Sequence, residues 1–359
     1  MSLVCLLALA SPASAQLDEP TLGVGTHFHG YSFDAGLGAE AASLLMVPVA
    51  FHAPLSGSLE VDVYGAWARG QVERGGQVLS MEGFTDTQVR ASFGPAQWAL
   101  LTVSLNLPTG EATHDAKEAV VASVLATDLL GFREANWGTG FGVTPGFATA
   151  RQMGPWGVGL GASYRVAGGF EPTPTSSLTY EPGNESRIRL GVDRNVGDGG
   201  KITAGFTYQR FETDRVGGQN LFEAGKRYRG DLSWAFRTGA STWTLFATDT
   251  WRDEGRFPGA TGPTAQTTSQ NIAQIGVAAS IPVGDVHRIR PRVDFQLQSR
   301  DGPGSGWLTG VGGDFPFRLF SVVDVFPNAR FLVGSVEGPS ARDVSMIGAE
   351  LGGTIRWQP

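Results

Sequence analysis

Apolar and polar residues alternate one for one through many short segments of this chain. In 59–67, Leu59, Val61, Val63, Gly65 and Trp67 share one face and Glu60, Asp62 and Tyr64 the other. Val89, Ala91 and Phe93 alternate with Gln88, Arg90 and Ser92, and Leu101, Val103, Leu105 and Leu107 with Thr102, Ser104 and Asn106. Ile188, Leu190 and Val192 are set against Arg187, Arg189 and Asp193. Tyr228, Leu232, Trp234 and Phe236 are set against Arg227, Arg229, Asp231 and Ser233. In "HRIRPRVDFQLQSR", 287–300, Arg288, Arg290, Arg292, Asp294, Gln296 and Gln298 face away from Ile289, Val293, Phe295 and Leu297. The segment 242–251 breaks the rule twice, with Phe246 on the polar face and Asp249 on the apolar one. A period of two sustained over so many segments predicts β-strands.

The connections fall into two sets. Short ones lie at 54–57, 94–97, 152–155, 196–200, 238–241 and 283–286, and longer polar ones near 70–83, 109–136, 168–185, 212–225 and 253–270. Tight turns at one end and long loops at the other are the layout of an outer-membrane barrel, turns periplasmic and loops outside. The expected fold is therefore all-β, a transmembrane antiparallel β-barrel of about sixteen strands, or fourteen or twelve if the weaker segments fail. Trp98, Trp156, Trp243 and Trp251 lie beside turns or loops, where interfacial aromatic girdles sit. A soluble sheet protein has no use for that girdle. Within lipid the register of each strand is fixed, because an arginine turned outward costs roughly 2–4 kcal/mol near the midplane.

The first residues, "MSLVCLLALASPASAQ", hold an apolar run, then Pro12 and an A-x-A site. They predict a signal peptide over 1–15 and a barrel over 16–359. Cys5, the one cysteine, would leave with the leader, so no disulfide framework is expected. Beyond residue 16 no apolar run reaches the length of a membrane-spanning helix, so crossing must be by strands. The 51 glycines show no collagen-like period. A net charge of −7 speaks against a phosphate-binding surface, so nucleic acid is not an expected partner.

The lumen-lining candidates are Arg187, Arg189, Arg227, Arg229, Arg288, Arg290 and Arg292 with Glu60, Asp62, Asp231 and Asp294. They suit a charged, watered conduit whose field acts on a passing solute. They also suit a salt-bridged network that fills and stiffens a closed barrel. His27 and His29 share a strand face, but no third ligand is near them, so they are expected to line the lumen and no metal is expected. No serine stands in a recognisable motif with a histidine, so no enzyme is expected, and no cofactor either. The glycines of "GVGLGASY" are followed by no helix and carry no dinucleotide reading. One stretch, 111–130, is helical in pattern, with Ala119, Ala122, Leu125 and Leu129 in line. Lying in a long outer loop, it either folds into the mouth as a constriction or caps the surface.

The terminal segment "ELGGTIRWQP" resembles the signal that outer-membrane proteins present to the barrel assembly machinery, on Glu350, Gly352, Ile355 and Trp357. The segments "GFTDTQVRASFG", "SLNLPTGE", "WGTGFGVTPGFATAR" and "GPWGVGLGASYRV" resemble an outer-membrane transporter-like family of the meta-pathway of phenol degradation. That family is distantly similar to long-chain fatty-acid transporters. The resemblance covers about a quarter of the chain and implies a barrel that passes small solutes, hydrophobic ones among them. Only "QLDEPT" precedes the first alternating strand, so no N-terminal hatch is expected. The expected function is an outer-membrane channel or passive transporter, with outer-membrane lipid, the assembly machinery and a small-molecule solute as partners. The alternative is a structural or surface-interaction barrel with a closed, salt-bridged lumen.

Overall fold

The computed structural model describes residues 19–132, 137–175, 177–197, 199–258, 266–284, 287–301 and 303–358. The expected leader, 1–15, lies outside them. Strands β1 (Thr21–Phe33), β2 (Ala41–Ser56), β3 (Leu59–Arg74), β4 (Gln77–Phe84), β5 (Thr87–Ala96) and β6 (Ala99–Leu107) come first. A helix, α1 (Ala116–Leu125), and a 3-10 turn, Asp128–Leu130, precede β7 (Gly142–Met153) and β8 (Trp156–Ala167). The small outer strands β9 (Tyr180–Glu181), β12 (Thr213–Val216) and β13 (Gln219–Glu223) flank β10 (Glu185–Val196) and β11 (Gly200–Phe211). Then follow β14 (Arg227–Thr238), β15 (Ser241–Arg252), β16 (Gln270–Val283) and β17 (His287–Arg300). The last are β18 (Gly306–Asp314), β19 (Phe317–Leu319), β20 (Val323–Glu337) and β21 (Asp343–Trp357).

Eighteen of these segments form one antiparallel sheet. β4 and β5 pair with successive halves of β3, and β18 and β19 with successive parts of β20, so each pair makes one stave and the staves number sixteen. β21 pairs with β1 from Leu22↔Trp357 to Phe33↔Met346, which closes the barrel. Closure leaves no open edge, the one arrangement in which a sheet can stand in lipid. β9, β12 and β13 form a separate three-stranded sheet above the wall.

Large apolar side chains such as Val24, Phe28, Leu160, Leu190, Leu232, Ile275, Val293, Val311, Phe331 and Ile355 are exposed along the strands. Their register neighbours are apolar too, as in Val277↔Val293↔Val311. A continuous apolar exterior around a polar interior is the outer-membrane type of barrel, and its partner on that face is lipid. The two-residue connections 57–58, 97–98, 154–155 and 239–240 share one end.

Residues 70–83 depart from the expected long loop. β3 and β4 run on to a two-residue turn at Gly75 and Gly76, whose φ of 58° and 73° suit a hairpin turn that needs left-handed backbone at both positions. The alternation persists there in Val72, Leu79 and Met81, so the pair extends as strand to the turn.

The buried apolar cluster lies inside the barrel. Ala42, Leu44 and Met46 of β2, Ala66, Ala68 and Val72 of β3, Met81, and Leu332, Val344 and Met346 of the last staves meet Val121, Leu125, Leu129, Leu130 and Phe132. One sector of the inner wall is thus apolar, and the loop between β6 and β7 fills it.

Candidate functional site: a loop-narrowed lumen

That loop turns inward. Asp115 caps α1, accepting from the backbone N–H groups of Lys117 and Glu118 at 2.7 and 2.8 Å, while the Glu118 carboxylate accepts from Asp115 N. The Glu118 N–H foremost holds the Asp115 carboxyl below its ordinary value. Val121 and Leu125 face the wall, where Gly70 makes room: a Cβ there would lie 2.5 Å from Leu125 Cδ1. Each buried apolar side chain of the loop contributes roughly 1.5–3 kcal/mol relative to exposure. Ala119, expected on the packed face, is exposed; the buried line runs Val121, Leu125, Leu129. The helix is thus seated inside the mouth, the first of the two placements open to it from the sequence.

Past the helix the chain crosses to the far wall. Tyr31 Oη donates to Leu130 O at 2.8 Å, and Gln296 Nε2 on β17 donates to Leu129 O at 3.2 Å. Asp128 reaches Arg252 at 3.4 Å and accepts from Gln270 Nε2 at 3.1 Å. Between this crossing and β11–β17 remains a cavity of about 240 Å³. Arg227, Arg229, Arg252, Asp128, Thr248 and Thr250 line it, with Gln209, Gln270, Gln274 and Gln296, and Ile272 as its one apolar member. Among the described residues the Arg229 side chain has no ion pair or hydrogen bond.

The remaining inward charges are mostly paired with one another. Asp294, 3% exposed, accepts from Arg292 Nε at 2.9 Å, Gln274 Nε2 at 3.0 Å and Arg330 Nη2. Arg330 also meets Glu350 at 3.0 Å, and Glu350 lies 3.7 Å from His29. A Cβ on Gly310 would stand 2.1 Å from the Arg330 guanidinium, so glycine opens the space for this pair. Arg292 rests over Phe246 at 4.8 Å, which accounts for an aromatic on an otherwise polar face. Asp294→Ala should lower stability by up to about 3 kcal/mol, because it removes the buried carboxylate that the partly buried Arg292 and Arg330 share. Urea unfolding in lipid vesicles reads this, and an unchanged midpoint would contradict it.

The structure separates the other residues singled out above. Arg187 pairs with Glu185 at 2.7 Å, Arg189 with Asp231 at 3.3 Å, and Asp62 with both His52 and Arg90 at 2.9 Å. Arg288 donates to Ser280 Oγ at 2.8 Å and to Ala240 O, at the short-turn end, and Arg290 stands opposite Asp314. Glu60 faces Ser92 across the sheet. His29 packs on Tyr31 and Phe132 with ring centroids 4.9 and 4.7 Å away, and His27 lies opposite Gly352. Among the described residues no group of three or more His, Cys, Asp or Glu is placed to hold a metal. Glu350 and Gly352 alternate with Ile355 and Trp357 across the two faces of the closing strand, Ile355 and Trp357 being exposed. In the outer sheet, burial first and the bond to Asp214 at 2.6 Å second push the Tyr180 hydroxyl well above its ordinary value.

Asp128, Arg252, Arg330, Gln209, Gln270 and Gln274 did not emerge from the sequence, whereas Gln296 did, as a polar position of 287–300. Arg252 and Arg330 sit at alternating inward positions of their strands, a signal that was there to read. Asp128 follows no pattern, since only the path of the loop gives it a partner.

No family model matches the chain, and no curated protein does. Among solved structures it is similar to the outer-membrane protein OmpT of Vibrio cholerae, at 10% identity over 97% of this chain and 100% of that one, TM-score 0.45. It is similar to an anion-selective porin from Comamonas acidovorans, at 14% identity over 95% of this chain and 98% of that one, TM-score 0.44. An outer-membrane channel from Pseudomonas putida F1 matches at 14% identity over 74% of this chain and 100% of that one, TM-score 0.43.

Proposed function

We propose that this chain is a passive outer-membrane channel, not an enzyme, and that small solutes pass between the inserted loop and the wall of β11–β17. The observation that carries the reading is the cavity there, with Arg227, Arg229 and Arg252 set against Asp128, the one carboxylate among its described lining residues. Such a lining attracts anions and offers hydroxyl and amide groups to replace their water. The motifs shared with the phenol-degradation transporter-like family favour small organic solutes, and the charge of the cavity favours acidic ones. Glu350, Gly352, Ile355 and Trp357 serve as the assembly signal, and residues 1–15 as the removed leader.

Vesicles carrying the barrel should swell faster in a small aromatic carboxylate than in a neutral compound of the same size. Equal rates would remove the charge preference, and no swelling in either would favour the second reading. In that reading the barrel is closed, the Asp294–Arg330–Glu350 network being a brace and the loop a plug.

A further inference from the structure

The inserted loop is rooted where the wall itself is irregular. Between the pairs Trp67↔Phe84 and Tyr64↔Gln88, two residues of β3, Gly65 and Ala66, face three, Thr85, Asp86 and Thr87. This is a β-bulge, and it changes which residues point inward. Thr85 and Asp86 are both buried, at 4% and 1% exposure. Thr85 repairs the ladder, its N–H donating to Ala66 O at 2.8 Å and its Oγ1 accepting from Ala66 N at 3.0 Å. Asp86 is thereby free to face the loop.

Its carboxylate accepts four hydrogen bonds. Oδ1 takes Gly110 N at 3.1 Å, and Oδ2 takes Asn106 Nδ2 at 2.8 Å, Thr139 N at 2.7 Å and Thr139 Oγ1 at 3.3 Å. Asn106 is the last residue but one of β6, Gly110 lies on the outgoing arm of the loop and Thr139 on the returning arm. Asn106 also donates to Gly140 O at 2.7 Å, and Thr109 Oγ1 to Thr85 O at 3.1 Å. The two arms press backbone on backbone: a Cβ on Gly110 would stand 2.2 Å from Trp137 O. Among the described residues Asp86 has no ion pair, so neutral donors alone compensate its buried charge. Losing any of them exposes the carboxylate to a desolvation cost, which ties the two arms together.

We propose that Asp86 is the latch that holds the inserted loop across the lumen, a positioning residue that sets the width of the passage. Its effect on current rests on the channel reading above; its effect on the loop does not. The latch also gives one physical role to "FTDT", "NLPTG" and "WGTG", three segments distant in sequence that converge on this carboxylate.

Val121 is fully buried against the wall, so a Val121→Cys thiol reports whether the helix is seated. In refolded vesicles, a membrane-impermeant maleimide should label that thiol slowly. Adding Asp86→Asn should raise the labelling rate by at least about tenfold through local opening. The mean single-channel conductance should rise about twofold as the passage widens. Should Asp86→Asn fail to insert, Asn106→Ala, which removes one donor and keeps the carboxylate, carries the same expectation. An unchanged labelling rate in the inserted variant overturns the latch, whatever the current. Faster labelling with no current in any variant supports the latch and overturns the channel.

Discussion

Val293→Arg should impair membrane insertion far more than Gln296→Arg, which should leave it close to that of the unaltered barrel. Val293 lies mid-strand on β17, exposed on the outer face between Val277 and Val311 of the neighbouring strands. A guanidinium there meets hydrocarbon at roughly 2–4 kcal/mol, with no strand end close enough for its charge to reach water. Three residues on, Gln296 faces the lumen and donates to the loop at Leu129 O. Arginine at 296 keeps a donor for that carbonyl and stands among Gln274, Thr250 and Asp128 at the edge of the cavity. The folded fraction in lipid vesicles, read from the heat-modifiable gel shift, measures both variants. Equal yields would show that the strand faces the other way.

Replacing Arg227, Arg229 and Arg252 together by glutamine should reverse the sign of ion selectivity with little loss of barrel stability. Among the described residues, the three guanidinium groups and Asp128 give the cavity lining a net charge of two positive, and the substitution leaves one negative. Charges so close to a permeating ion act well within the Debye length of about 10 Å at 0.1 M salt, so screening does not erase the change. The ion pair of Arg252 with Asp128 is partly exposed, and such pairs contribute about 0–1 kcal/mol, so its loss should cost little stability. Arg292 and Arg330 behave in the opposite way. Bound to the buried Asp294, they hold the wall together and present little free charge to a solute. Unchanged reversal potentials in the triple variant, with a lower unfolding midpoint, would make these arginines part of the brace.

Much of the wall was legible in the sequence because lipid imposes one rule on every strand, apolar side chains at alternate positions. Arg187, Arg229 and Arg292 could be assigned a face in this way, but not a partner. Arg292 has Asp294 beside it and Arg229 has none, a difference that depends on neighbouring strands rather than on spacing. Residues 70–83 read as a loop because Glu73, Arg74 and Glu82 are charged, yet they stand above the membrane, where a strand carries charge freely. The path of the inserted loop had two signals, each incomplete. "AASLLMVPVAF" in β2 is apolar on both faces, with Leu44 and Met46 turned inward, so something apolar must cover its lumenal side. The segment 111–130 carries the matching Val121, Leu125 and Leu129. Only the closed barrel brings the two together. Asp86 was hidden for a related reason, since a bulge of one residue breaks the alternation for too short a stretch to stand out.

The central claim is that the lumen conducts past the loop along an arginine-bearing wall. Single-channel recording of the wild-type barrel in a planar bilayer under a salt gradient tests it most directly. Discrete current steps, with a zero-current potential of the sign for mild anion preference, are the predicted result. A folded, inserted barrel that passes no current, or one that prefers cations, would contradict it.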